Sequence, residues 1–265
     1  MTFISDLIPT FVTIKRMKYL SILSLAVLLT SCGEKETPLS AQNIVDRAIS
    51  NSCNGNCDHA TIDFTFRDRC YVSGRKGGDY RLERITSDST GVTHDILSND
   101  GFRRYKNDTL LTIPDSMVTK YSNSVNSVHY FVQLPFGLNA GAVQKELLGE
   151  TKVKGESYYE IGVTFTEEGG GTDFDDEFVY WIHKDDYTVD YLAYSYATDG
   201  GGIRFREAYN VRVIDGIRFA DYNNYKPNSL DIALTNLDEL FEKGELKLLS
   251  KIETESVGVM LPGQE

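Results

Sequence analysis

The chain has 265 residues, with 27 basic against 39 acidic side chains and a formal net charge of −12. So acidic a protein repels phosphate backbones and gives anionic membrane nothing to attract, which argues against nucleic-acid binding. Its 16 tyrosines against a single tryptophan suit the faces of β-sheets.

The N-terminal stretch reads as an export signal. Lys15, Arg16 and Lys18 form a basic cluster, and Tyr19 to Leu29 form an apolar run. Leu29-Thr30-Ser31-Cys32 then has the pattern of a bacterial lipobox. Leucine suits an apolar peptidase pocket, the small residues let the backbone approach, and the Cys32 thiol is the nucleophile that takes a diacylglycerol. The apolar run falls far short of the roughly 20 residues that a spanning helix needs. Lipidation at Cys32 is therefore the expectation, ahead of an ordinary signal peptide or a buried core helix. The acyl anchor then tethers the protein to the cell envelope, and Gly33 in place of an aspartate points to the outer membrane. Met17 would open a standard signal, so residues 1–16 read as an upstream extension. Residues 1–31 are thus leader, 32–39 a lipidated tether, 40–257 one domain and 258–265 a tail. Removing the leader takes away three basic residues and Asp6, leaving 234 residues at about −14.

Ser40 reads as the N-cap of a helix through about Asn51, with Ile44, Val45, Ala48 and Ile49 on one face. From His59 the period changes to two: Ile62, Phe64 and Phe66 alternate with Thr61, Asp63, Thr65 and Arg67. Glycine and Asx turns near Gly74–Asp79, Ser87–Gly91, Asn99–Gly101 and Asn107-Asp108 predict consecutive antiparallel hairpins. Between Pro114 and Pro135, the spacing of Met117, Val118, Tyr121, Val125, Val128 and Val132 predicts a helix. Ser122-Asn123-Ser124 and Asn126-Ser127 have little propensity for it, so tertiary packing must hold it. A short helix is expected near Ala140–Leu147. Tyr159, Ile161, Val163 and Phe165 alternate again. Phe178–Ile182 and Tyr187–Tyr196 are continuous apolar runs, as in strands covered on both faces. Ile203, Phe205, Tyr209, Val211 and Val213 alternate with Arg204, Arg206, Asn210 and Arg212, and Asp215-Gly216 is a two-residue hairpin turn. Thr235 reads as the cap of a last helix carrying Leu237, Leu240 and Phe241. The fold class is α+β: a large curved antiparallel sheet, a half-open barrel, with a few helices over its concave side.

Familiar catalytic and nucleotide-binding motifs are absent from the sequence. His59, His94, His129 and His183 are scattered over separate elements. Asp173, Asp175, Asp176 and Glu177 form an acidic loop that could hold calcium through oxygen ligands, though solvated loops of this kind are commoner. Paired carboxylates for hydrolysis could include Asp190 or Glu207, but nothing singles out a pair. With Cys32 acylated, Cys53, Cys57 and Cys70 remain. A disulfide between Cys53 and Cys57 ranks first, free thiols second, and a metal site with His59 third. Neither a metal nor a cofactor is expected.

Several strings resemble a domain-of-unknown-function family of lipoproteins from Bacteroidota-type bacteria. They are Ser122-Asn123-Ser124-Val125-Asn126-Ser127-Val128, Leu134-Pro135-Phe136-Gly137-Leu138, Tyr180-Trp181-Ile182, Tyr191-Leu192-Ala193-Tyr194 and the run from Gly200 to Asn210. The resemblance spans residues 40–255. The layout is similar to the LolA/LolB-like carriers, half-open barrels whose helix-lidded concave face takes acyl chains. That resemblance implies an envelope protein binding a lipid or acyl chain in a concave apolar cavity. Phe64, Phe66, Phe165, Trp181, Phe205 and Tyr209 are the candidate lining, with Arg204 and Arg206 as a cationic rim. An exported hydrolase or a structural partner of an envelope complex are the alternatives.

Overall fold

In the computed structural model, which describes residues 39–170 and 174–263, helix α1 (Ala41–Cys53) starts where Ser40 accepts a hydrogen bond from the Asn43 amide at 3.2 Å. Its apolar stripe of Ile44, Val45 and Ala48 is wholly buried. Five strands and a short sixth follow as consecutive hairpins: β1 (Thr61–Phe66), β2 (Arg69–Lys76), β3 (Asp79–Asp88), β4 (Gly91–Ser98), β5 (Gly101–Lys106) and β6 (Thr109–Leu110). Helix α2 (Asp115–Val132) interrupts them. The second run holds β7 (Val143–Val153), β8 (Glu156–Phe165), a single turn α3 (Glu167–Gly170), β9 (Glu177–His183) and β10 (Val189–Tyr196). It continues through β11 (Gly202–Ile214), β12 (Ile217–Lys226), α4 (Leu237–Glu242), β13 (Lys247–Ile252) and β14 (Thr254–Met260).

The strands form two seven-stranded antiparallel sheets, neither closed on itself. The first has the order β14-β1-β2-β3-β4-β5-β6, and the second β13-β12-β11-β10-β9-β8-β7. The chain passes from the first to the second between β6 and β7 and returns between β13 and β14. At that corner Thr254 donates its amide to Asp221 at 3.0 Å, and the Arg212 guanidinium bridges Asp221 to the Thr254 carbonyl at 3.2 and 2.8 Å. Among the described residues no helix is long and apolar enough to cross a membrane.

The second sheet is covered on both faces, as the continuous runs of β9 and β10 predict. On its inner face α1 packs against Tyr159, Ile161, Tyr180, Ile182 and Leu192. On the opposite face Trp181, Tyr191 and Phe205 pack beneath Leu237 and Phe241 of α4. Helices therefore do not cover the concave side alone. The first sheet buries one face only, where Ile62, Phe64 and Tyr71 meet Val128 and Val132 of α2.

Two sequence expectations need correction. Residues 140–147 are not a helix: a 3-10 turn at Phe136–Asn139 leads into β7, which pairs with β8 from Val143 opposite Phe165 to Val153 opposite Glu156. Burial alternates along β7, so pairing at the sheet edge overrides the helical propensity of Gln144-Lys145-Glu146-Leu147. Nor does Thr235 cap α4. A 3-10 turn at Leu234–Asn236 runs directly into that helix, and Asp238 takes the Glu239 amide at 2.8 Å and the Thr151 hydroxyl at 3.1 Å.

Candidate functional site

Cross-strand register places the side chains of the first sheet in rows. On its inner face one row runs Phe64, Tyr71, Arg84, Asp95, Arg104 over β1 to β5. Phe64 stacks on Tyr71 with ring centroids 5.2 Å apart, and His129 of α2 meets both rings edge-on. The row then turns from aromatic to charged. Arg84 donates from Nε and Nη2 to Asp95 at 3.1 and 2.6 Å, and Arg104 binds the same carboxylate at 2.5 and 2.9 Å. Burial alone would raise the Asp95 carboxyl, but the hydrogen bonds from Arg104 and Arg84 hold it below the usual carboxylate range. The Arg104 guanidinium lies 3.5 Å from the Tyr121 ring centroid, so α2 rests directly on this charged row.

A cavity of about 190 Å³ opens between this face and α2. Phe66, Tyr71 and Val128 give it apolar walls, Arg67, Arg69 and Arg84 give it charge, and Ser124 and Ser127 give it hydroxyls. Arg84 is only 6% exposed and donates through Nη1 to the Ser124 hydroxyl at 2.7 Å. The helix above has few fully buried residues. Of its 18 residues only Val125 and His129 are buried, and Pro114 at its N-cap makes no side-chain bond. Burial among aromatic rings pushes the His129 imidazole down to about 4, while its Nε2 meets the Glu83 carbonyl oxygen at 3.0 Å. A second cleft of about 360 Å³ lies at the end of β11, bordered by Gly201, Gly202, Arg204, Lys226 and Leu230. It is the larger, but none of its lining residues lies in a helix or is a buried charge.

The residues singled out in the sequence are not brought together. Phe64 and Phe66 lie on the inner face of the first sheet, and Phe66 lines the smaller cavity. Phe165 packs edge-on against Phe178 on the inner face of the second sheet. Trp181 and Phe205 point the other way, fully buried beneath α4, because neighbouring positions of a strand alternate between faces. Tyr209 donates to Glu253 at 2.6 Å. Arg204 borders the larger cleft and bonds Tyr196. Arg206 is on the inner face, with its guanidinium 3.9 Å from the Phe131 ring centroid of α2 and a bond to the Tyr194 hydroxyl at 2.8 Å. Its buried Nε meets no partner among the described residues.

Cys32 and Asp173 lie outside the described residues. Cys53 and Cys57 are joined by a disulfide, and Cys70 is a free, exposed thiol on β2. The two carboxylates weighed for hydrolysis have structural partners. Asp190 accepts from Arg218 at 3.1 Å and Tyr158 at 3.3 Å, and Glu207 accepts from Asn223 at 3.1 Å and Tyr225 at 3.2 Å. Sequence reasoning missed Arg67, Arg69, Arg84, Asp95 and Arg104. The signal was a charged residue in the apolar phase of three successive strands: Leu82 with Arg84, Asp95 with Leu97, Phe102 with Arg104.

Open antiparallel sheets under a few helices define an α+β protein. The chain belongs to the family of unknown function DUF6503, matched over residues 18–254. No curated protein matches it in sequence. Among solved structures it is similar to a DUF1329 family protein from Desulfovibrio piger, at 13% identity and a TM-score of 0.50, covering 84% of this chain and 93% of that one. It is also similar to a LolA superfamily protein from Nitrosomonas europaea, at 11% identity, a TM-score of 0.45, and coverage of 84% and 92%. An outer membrane lipoprotein-sorting protein domain from Vibrio parahaemolyticus matches at 10% identity, a TM-score of 0.45, and coverage of 85% and 95%.

Proposed function

We propose that this is a lipid-anchored cell-envelope protein that takes up an apolar ligand, a lipid or a lipoprotein acyl chain, on the inner face of the first sheet beneath α2. The observation that carries this reading is a weakly packed cover over a partly open interior. Only two of the 18 residues of α2 are buried, and a cavity of about 190 Å³ with aromatic walls lies directly under it. Small-molecule pockets typically reach roughly 300–1,000 Å³. A long acyl chain therefore enters only if α2 shifts, uncovering Phe64, Phe66, Tyr71, Val128 and Val132. The hydrophobic transfer of the chain then replaces the contacts that α2 gives up. Cys32 supplies the anchor, and outer-membrane placement follows from Gly33 after it.

Titration of a fluorescent fatty acid into the chain carrying Cys32→Ser tests this, together with lipid extraction of the native protein. Saturable uptake is expected, with co-purified lipid. Absence of both overturns the carrier reading. For the anchor, intact mass of the native protein should show an acylated Cys32 as the first residue.

A further inference from the structure

We infer that the cavity under α2 receives the anionic group, a phosphate or a carboxylate, of an amphiphilic ligand. Three guanidinium groups line this place, from Arg67, Arg69 and Arg84, and Arg104 stands beside them on Asp95, against the two carboxylates of Asp68 and Asp95. The chain as a whole carries a net charge of −12, so this local cationic excess runs against its composition. Asp95 is shared by two arginines and neutralises only one of them. Asp68 approaches Arg69 no closer than 3.6 Å, with both side chains well exposed, an arrangement that holds little charge in place. Arg67 has no carboxylate within ion-pair distance among the described residues and lies over the Phe66 ring at 5.0 Å.

Arg84 makes this a built site rather than a patch. It is almost wholly buried, fixed by Asp95 and Ser124, and it still lines the cavity. Three of its five N–H donors are used by those contacts, which leaves two for a ligand. The Ser127 hydroxyl on α2 also borders the cavity and takes no protein partner among the described residues. Planar guanidinium forks suit the oxygens of phosphate and carboxylate, and a low-dielectric wall of Phe66, Tyr71 and Val128 strengthens the attraction. The inference rests on the reading of α2 as a movable cover only for where the apolar part of the ligand lies.

Isothermal titration of the full chain carrying Cys32→Ser with decyl phosphate, decanol and inorganic phosphate tests it. Decyl phosphate should bind at least tenfold more tightly than decanol. Substituting the two exposed arginines, Arg67→Gln with Arg69→Gln, should remove most of that preference. Because neither residue is buried, loss of folding should not intervene, and circular dichroism checks this. Equal binding of decyl phosphate and decanol, unaffected by the substitutions, overturns the anionic site and leaves the apolar reading standing. Binding of inorganic phosphate with no gain from the alkyl chain supports the anion site and overturns the apolar reading. No heat from any of the three probes overturns both.

Discussion

The two sheets have the same number of strands and opposite interiors. The second sheet is packed on both faces, with α1 on one side and α4 on the other, and Tyr180, Trp181, Ile182, Leu192 and Phe205 are all fully buried. The first sheet is covered on one face, and the row across that face turns ionic at Arg84, Asp95 and Arg104. Buried ion pairs contribute less stability than apolar packing of similar volume, because desolvation offsets the attraction. The second sheet is thus the scaffold, and the first gives up packing to hold a recognisable chemistry.

Substitutions should separate these roles. Trp181→Ala removes the largest side chain buried beneath α4 and should destabilise by about 4 kcal/mol, the scale of aromatic truncation in a core. Chemical denaturation measures this, and fatty-acid uptake should persist where the variant is still folded; selective loss of uptake would break the division of labour. Asp95→Asn leaves buried Arg84 facing Arg104 without an anion between them and should cost about 3 kcal/mol. A cost near zero would mean that the charged row is solvated.

The pH dependence is a third handle. Burial lowers His129 from 6.5 to about 4, so the unfolded chain binds more protons across that interval. Stability therefore falls as pH drops below about 6.5, by about 2 kcal/mol from neutral to pH 5. His183 acts with the opposite sign: burial opposes its charge, but Asp186 and Glu156 raise it above its ordinary value. The decisive measurement is accordingly the difference between the parent and His129→Gln, which should lose the acid-side slope. The smallest effect belongs to Asn126, exposed on α2. Asn126→Ala should stabilise the helix by about 0.5 kcal/mol and slow fatty-acid release. Unchanged or faster release would count against α2 as the moving cover.

Much of this scaffold was legible in the sequence, and the site was not. Alternation and Asx-Gly turns gave the hairpins of β1 to β5, and the continuous runs of β9 and β10 announced a sheet buried on both faces. Ser40 gave the start of α1. What failed was the choice of face. On β11 both phases carry large side chains, Ile203 and Phe205 on one side and Arg204 and Arg206 on the other, so period alone could not say which side met α2. Edge pairing of β7 was equally invisible, because its partner lies further along the chain and local propensity is helical. The charged row was hidden for a related reason: Arg84, Asp95 and Arg104 look like surface residues until register sets them side by side.

The corner between β13 and β14 bears on the order in which the sheets assemble. Residues 61–110 supply six strands of the first sheet, yet the seventh, beside β1, is Thr254–Met260. The half that is synthesised first must wait for residues 254–260 to arrive. Until then the hydrogen-bonding edge of β1, carrying Ile62 and Phe64, stays unpaired, which is the condition under which strands associate between molecules. Pairings so distant in sequence also form slowly. A chaperone that shields β1 until then, or a shortened C-terminus that never covers it, would decide the yield of folded protein without touching a single residue of the cavity under α2.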